Sequence, residues 1–322
     1  MNSTSTASDW LMAGDPAIRW QVMRDLLDAP EDQWRAERSL VETEGWGAQL
    51  LALQDADGQW DGGAYLPAVF AWEQMRSEGQ PWTATCWALA ELRELGLDPG
   101  SPSARRTVQL VGENSRWEND GQPYWEGEVE ECINGRTVAQ GAYFGVDVAP
   151  IVENLVSQRM EDGGWNCERE NGSVRSSFDS TINVLEGLLE FERATGGTPD
   201  SREARAAGEE YLLARRLLHR RSTGELVDQE YLDFSCPSRW RYDMLRALDY
   251  FREASVFAGA SPDPRLAGAV ERLRSRQQPE GTWQLDKTYR GRSWFQMDPS
   301  AGQPSRWITL KALRVLRWWE SA

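Results

Sequence analysis

The carboxylates set beside aromatic rings are the residues of this sequence best placed to do chemistry. Asp179 follows Phe178 in an apolar setting, where desolvation would raise its pKa and keep a proton ready for transfer. A plain helix N-cap is the other reading of that Asp. The run from Tyr124 and Trp125 through Glu126, Glu128, Glu130 and Glu131 clusters acids next to two rings. Like charges at that spacing raise one another's pKa, which suits a proton donor, while ring faces and carboxylates together attract a cation. A solvated acidic loop is the alternative. With Asp243, these give Asp179, Glu131 and Asp243 as candidate catalytic residues.

Three Arg-Trp pairs, Arg19-Trp20, Arg239-Trp240 and Arg306-Trp307, are the second unusual feature. An arginine beside a low-dielectric cavity needs a carboxylate or an anionic ligand. In one reading Arg19, Arg239 and Arg306 receive a carboxylate, phosphate or diphosphate while the indoles hold an apolar body. In the other they pair permanently with carboxylates such as Glu126, Asp179 or Asp243. The binding set is completed by Trp82, Thr83, Thr85, Trp125, Asn134, Arg136 and Phe178. A small-molecule ligand is the expected partner.

Cys132 at a helix start could have a lowered pKa, but His219 is the single histidine, so no nearby base is expected and a buried small residue is the simpler reading. His219 falls on an expected surface helix, and its isolation argues against histidine metal sites and Ser-His or Cys-His pairs. Cys86, Cys132, Cys167 and Cys236 show no CxxC spacing and are expected as free thiols. No cofactor and no metal held by protein ligands alone are expected, although the acidic loop could hold Mg²⁺ beside a phosphate.

The formal charge of −16 over 322 residues would repel nucleic-acid phosphates and anionic lipid. No apolar run approaches the ~20 residues that span a bilayer, and residues 1–14 read as a tail without a secretory signal. A cytoplasmic location is expected.

The elements that must position these residues show a repeat. Leu50, Gln54, Gly58 and Trp60 recur as Leu155, Gln158, Gly163 and Trp165, and again as Leu273, Gln277, Gly281 and Trp283. The Gly suits a left-handed helix cap, and the Trp can fold back over the helix it follows. Six segments with apolar residues at helical spacing begin at 18, 81, 132, 177, 238 and 305. More polar helices are expected at 31–53, 102–115, 148–160, 201–221 and 264–277. Strand signals are nearly absent. The fold class is therefore all-α, with helical hairpins repeating from residue 15 to 322.

The three Gln…Gly-x-Trp turns, each leading into an apolar helix, resemble the repeats of the terpenoid cyclase and protein prenyltransferase superfamily. The resemblance runs from about Asp15 to Trp319 and is to single-toroid, squalene-cyclase-like bacterial proteins. It implies an (α/α)6 toroid whose inner-helix starts converge on a central pocket. Ser177, Phe178, Asp179, Ser180 and Thr181 are similar to the Asp-x-Asp-Asp-Thr motif of class II cyclases, but keep only the middle Asp and the Thr. The implied activity is acid-initiated cyclase, isomerase or lyase chemistry on an isoprenoid-like or other apolar-bodied substrate. The prenyltransferase zinc set of Asp, Cys and His is not matched: Asp233 and Cys236 stand at the wrong interval, with no later His. A non-catalytic protein binding an anionic molecule is the alternative function.

Overall fold

The computed structural model describes the backbone of residues 3–321 and the side chains of residues 7–321 apart from Gln74. Fourteen α-helices occur among these residues. They are α1 (Ser3–Met12), α2 (Pro16–Asp25), α3 (Glu31–Ser39), α4 (Gly45–Ala52), α5 (Trp72–Glu78), α6 (Thr85–Leu95), α7 (Pro102–Asn114), α8 (Glu131–Tyr143), α9 (Ala149–Ser157), α10 (Phe178–Thr195), α11 (Pro199–Leu213), α12 (Met244–Ala258), α13 (Ala267–Ser275) and α14 (Arg306–Glu320). Extended pairing among the described residues is confined to isolated bridges. The protein is all-helical, and no helix is long and apolar enough to cross a membrane.

The repeated turns fold alike for one physical reason. Trp60, Trp165 and Trp283 are fully buried, and each indole N–H donates to the carbonyl ten residues earlier, at Leu50 (2.8 Å), Leu155 (2.7 Å) and Leu273 (2.8 Å). Those carbonyls belong to the last turn of a helix, where the regular i+4 donor is missing; Leu50 and Leu273 also accept a tighter i+3 bond, from Leu53 and Arg276 (3.2 Å each). The backbone N–H of each Trp donates to a threonine hydroxyl of the next apolar helix: Thr85 (3.2 Å), Thr181 (3.1 Å) and Thr309 (2.9 Å). Gly58, Gly163 and Gly281 have φ of 91°, 100° and 85°, which side chains with a Cβ rarely adopt.

The chain divides into two compact units. The first comprises Met1–Trp46, Leu212–Tyr289 and Gln296–Ala322, and the second Gly47–Tyr211 and Arg290–Phe295. In the first, α2, α12 and α14 pack together, and a buried charge network joins them. Arg314 donates to Asp249 (2.7 Å) and to Gln21 (2.9 Å), and Arg252 donates to the same Asp249 (2.8 Å). Helix α1 packs on α2 and α14 with Ala7 and Leu11 buried, so residues 3–12 of the stretch read as a tail are helical.

In the second unit, α8 lies between α6 and α10. The approach of α8 and α10 depends on glycine: a Cβ on Gly135 would sit 2.6 Å from the Asn183 carbonyl oxygen, and one on Gly187 2.3 Å from that of Gly135. The helix expected over 31–53 is interrupted, because Gly45 takes a φ of 65° where Asp15 accepts the Trp46 N–H (2.8 Å). The one expected over 201–221 stops at Leu213, where Arg216 and Leu217 turn left-handed (φ 47° and 65°). His219 thus lies in a turn that pairs with Leu226, not on a helix.

Gly187→Ala should lower the unfolding free energy by about 1–3 kcal/mol, because the obstructing atom is backbone. Gly268→Ala in α13, where an added Cβ meets nothing, should raise it by about 0.5–1 kcal/mol. Urea unfolding of the two variants checks both signs.

Candidate functional site

In the first unit the starts of α12 and α14 bring together the most strongly perturbed acids. Asp243 caps α12, its Oδ1 accepting the Arg246 N–H (2.8 Å), and it is almost fully buried. Its other oxygen meets the Ser235 hydroxyl (3.3 Å), which in turn lies 3.2 Å from the Tyr289 hydroxyl. Asp298, in the loop before α14, accepts the hydroxyl of Ser305, the residue that caps α14. Burial pushes Asp298 up to about 6, against the pull of Ser305, the Arg306 and Trp307 backbone N–H groups and Lys311. Burial also raises Asp243, opposed by its bond to Arg246 and by Lys311, and pushes Tyr289 up to about 12. Lys311, itself buried on α14, therefore serves two carboxyls. The Arg241 guanidinium lies 4.0 Å from the Trp240 ring centroid and 5.9 Å from that of Tyr289, so Trp240 stands beside this group.

In the second unit the starts of α6, α8 and α10 gather a different set. Arg136 lies 4.8 Å from the Trp87 ring centroid and reaches Asn183 Oδ1 at 3.5 Å. Trp87 meets Trp82 edge-on at 4.8 Å and Tyr65 at 5.0 Å. Glu131 is buried and accepts from Arg169 at 3.0 Å. Burial raises the half-buried Glu128, and Glu130 and Glu118 add to the rise, while Glu126 and Glu130 are exposed. Asp179 is half-buried and does not cap α10: Ser177 does, accepting the Ser180 N–H at 3.0 Å.

Several residues expected to bind a ligand are engaged in holding helices. Arg19 donates to Glu37 (2.6 Å) and to the Gly14 carbonyl (2.7 Å). Arg306 lies over the Trp10 ring at 4.5 Å and donates to the Trp10 carbonyl (3.3 Å). Trp20 turns toward α3, with Trp34 at 6.2 Å and Arg24 over its ring at 4.6 Å. Trp307 stacks on Trp46 at 6.1 Å. Thr85 holds the Trp60 turn and donates to the Gly63 carbonyl (2.6 Å). Trp125 donates to the Val108 carbonyl (3.2 Å), and Asn134 pins the backbone of Glu128 through both its amide atoms. Phe178 packs edge-on against Tyr211 at 5.6 Å. Arg239 is buried with a φ of 55°.

Of the candidate acids, Asp243 shares the charge of Lys311 with an acid the sequence did not single out, Asp298. Its only sequence signal is an acid in a Trp- and Phe-containing loop just before an apolar helix. No protein-family model matches the chain, and no curated protein does. Among solved structures the chain is similar to a protein from Actinoplanes, at 16% identity over 99% of this chain and 98% of that one, with a TM-score of 0.44.

Because folded Asp298 holds its proton more tightly than the unfolded chain, its contribution makes stability fall as pH rises from about 4 to about 6, by up to about 3 kcal/mol, and level off above. Urea unfolding across this range should show a shallower fall in Asp298→Asn than in the parent. Carboxyl carbon NMR should place the Asp298 titration near 6.

Proposed function

We propose that the protein is an enzyme of the terpenoid-cyclase-like type, acting by protonation on an isoprenoid-like or other apolar-bodied substrate, with Asp298 and Asp243 as its acid pair. The observation that carries this reading is the buried Asp298 carboxyl with a pKa of about 6, placed with Asp243 around one lysine. A neutral carboxylic acid can give its proton to an alkene or an epoxide. The carboxylate left behind would be met by the Ser305 hydroxyl, the first N–H groups of α14 and Lys311, all in place before the proton moves. Trp307 at the start of α14, stacked on Trp46 at the start of α4, offers a π face to a cationic intermediate. Tyr289 and Ser235 form a hydroxyl relay on Asp243 through which a proton could return.

The same reading includes the (α/α)6 toroid. Its support is the three identical Trp turns and the packing of α6, α8 and α10 in one unit and of α2, α12 and α14 in the other. The anion clamp formed by Arg19, Arg239 and Arg306 is the weaker reading, since Arg19 and Arg306 already have partners in the protein.

Incubation with linear polyprenyl alcohols, diphosphates and terminal epoxides, followed by mass spectrometry of extracted products, tests the proposal. Conversion should fall by about 100-fold or more in Asp298→Asn or Asp243→Asn, the loss expected for a missing general acid. Asp179→Asn should retain activity. Conversion unaffected in both of the first two variants would falsify the acid pair. Binding of a diphosphate without conversion, weakened by Arg239→Ala, would favour the clamp instead.

A further inference from the structure

The starts of α8 and α10 hold a group of side chains that the acid chemistry leaves unused. Glu130 precedes α8, Cys132 lies in its first turn, and Cys167 follows the Trp165 turn. The two Sγ atoms and a Glu130 carboxylate oxygen all lie within 4.8 Å of one another. Cys132 Sγ and Glu130 Oε2 are 3.5 Å apart. In a tetrahedral zinc site with Zn–S of about 2.3 Å and Zn–O of about 2.0 Å, the sulfur-to-oxygen edge is about 3.5 Å, so this pair already has the required separation.

Cys167 Sγ accepts two hydrogen bonds, from the Cys132 backbone N–H (3.3 Å) and from the Ser180 hydroxyl (3.4 Å). Two donors aimed at one sulfur are the outer-shell contacts that orient a metal-bound cysteine. Among the described residues no cation forms an ion pair with this group. Arg169, on the same short turn as Cys167, is engaged by Glu131. A soft or borderline divalent ion matches a donor set of two thiols and one carboxylate.

We propose that Glu130, Cys132 and Cys167 form a binding site for a zinc-class divalent cation, with three protein ligands and a fourth position open on the exposed Glu130 side. Binding releases the two thiol protons and forms two metal–sulfur bonds and one metal–oxygen bond, with no change of oxidation state.

Titration of the full chain, reduced with a phosphine, with Co²⁺ should give thiolate-to-cobalt charge-transfer absorption and the intense ligand-field bands of a four-coordinate ion, saturating at one equivalent. Added Zn²⁺ should bleach them. Cys132→Ser and Cys167→Ser should abolish the bands, and Cys86→Ser should keep them. Ser180→Ala, which removes a hydrogen bond to sulfur, should weaken binding about 10-fold. Zn²⁺ should also protect Cys132 and Cys167 of the unmutated protein from alkylation, read by mass spectrometry. Absence of bands in the reduced parent protein, bands surviving in both cysteine variants, or equal alkylation with and without Zn²⁺ would overturn the site.

Discussion

The Trp283 indole N–H is taken by the Leu273 carbonyl at the end of α13, and the backbone N–H of the same residue by Thr309 on α14. One buried residue thereby fixes the end of one helix and the beginning of the next. Leaving the Trp283 backbone N–H unpaired in the interior would cost about 1–3 kcal/mol, which ties the two helices together. The Trp283 carbonyl adds a third tie by accepting the Ser305 N–H (2.9 Å). Ser305 is the α14 cap and the partner of Asp298, so the acid sits where this turn puts it. The Trp165 turn works the same way: its carbonyl accepts the Ser177 N–H (2.8 Å), which starts α10 and sets Ser180 against Cys167.

These turns were readable because their chemistry is local. Leu, Gly and Trp lie within eleven residues of one another, and each type has one job there: a helix-end carbonyl, a left-handed φ and a long N–H donor. The six apolar helices were readable for a similar reason, as periodicity is a property of neighbours in sequence. Helix α12 shows the limit. By spacing alone its apolar pattern begins at 238, yet the helix starts at Met244, because Arg239 takes a positive φ and Asp243 supplies the cap.

What was not readable depends on residues distant in sequence. Nothing near Arg306 or Trp307 announces that Arg306 will lie over Trp10, nor does anything near Arg19 announce Glu37. The Arg-Trp pairs look like pocket residues because both types favour sites, but the same planar cation and large ring also clamp one helix onto another. Arg314 is the clearest case. It interrupts an apolar helix as a surface arginine would, and only the placement of Asp249 and Gln21 makes it a buried hub. Cys132 and Cys167 are separated by a whole hairpin, so no spacing rule could pair them.

Both candidate sites face one electrostatic problem, more acid than base in a poorly solvated place. Asp249 escapes it because Arg252 and Arg314 both reach it. Asp243 and Asp298 share the charge of Lys311, with Arg246 also acting on Asp243, and burial outweighs that support, so both hold a proton more tightly than an exposed carboxyl does. Among the described residues Glu130, Cys132 and Cys167 have no arginine partner, since Arg169 serves Glu131, and two hydrogen bonds converge on the Cys167 sulfur. The same excess of acid therefore resolves in two ways. In the proposed reading the carboxyls near a lysine keep a proton for donation, whereas at the proposed metal site the two sulfurs would exchange theirs for a metal ion.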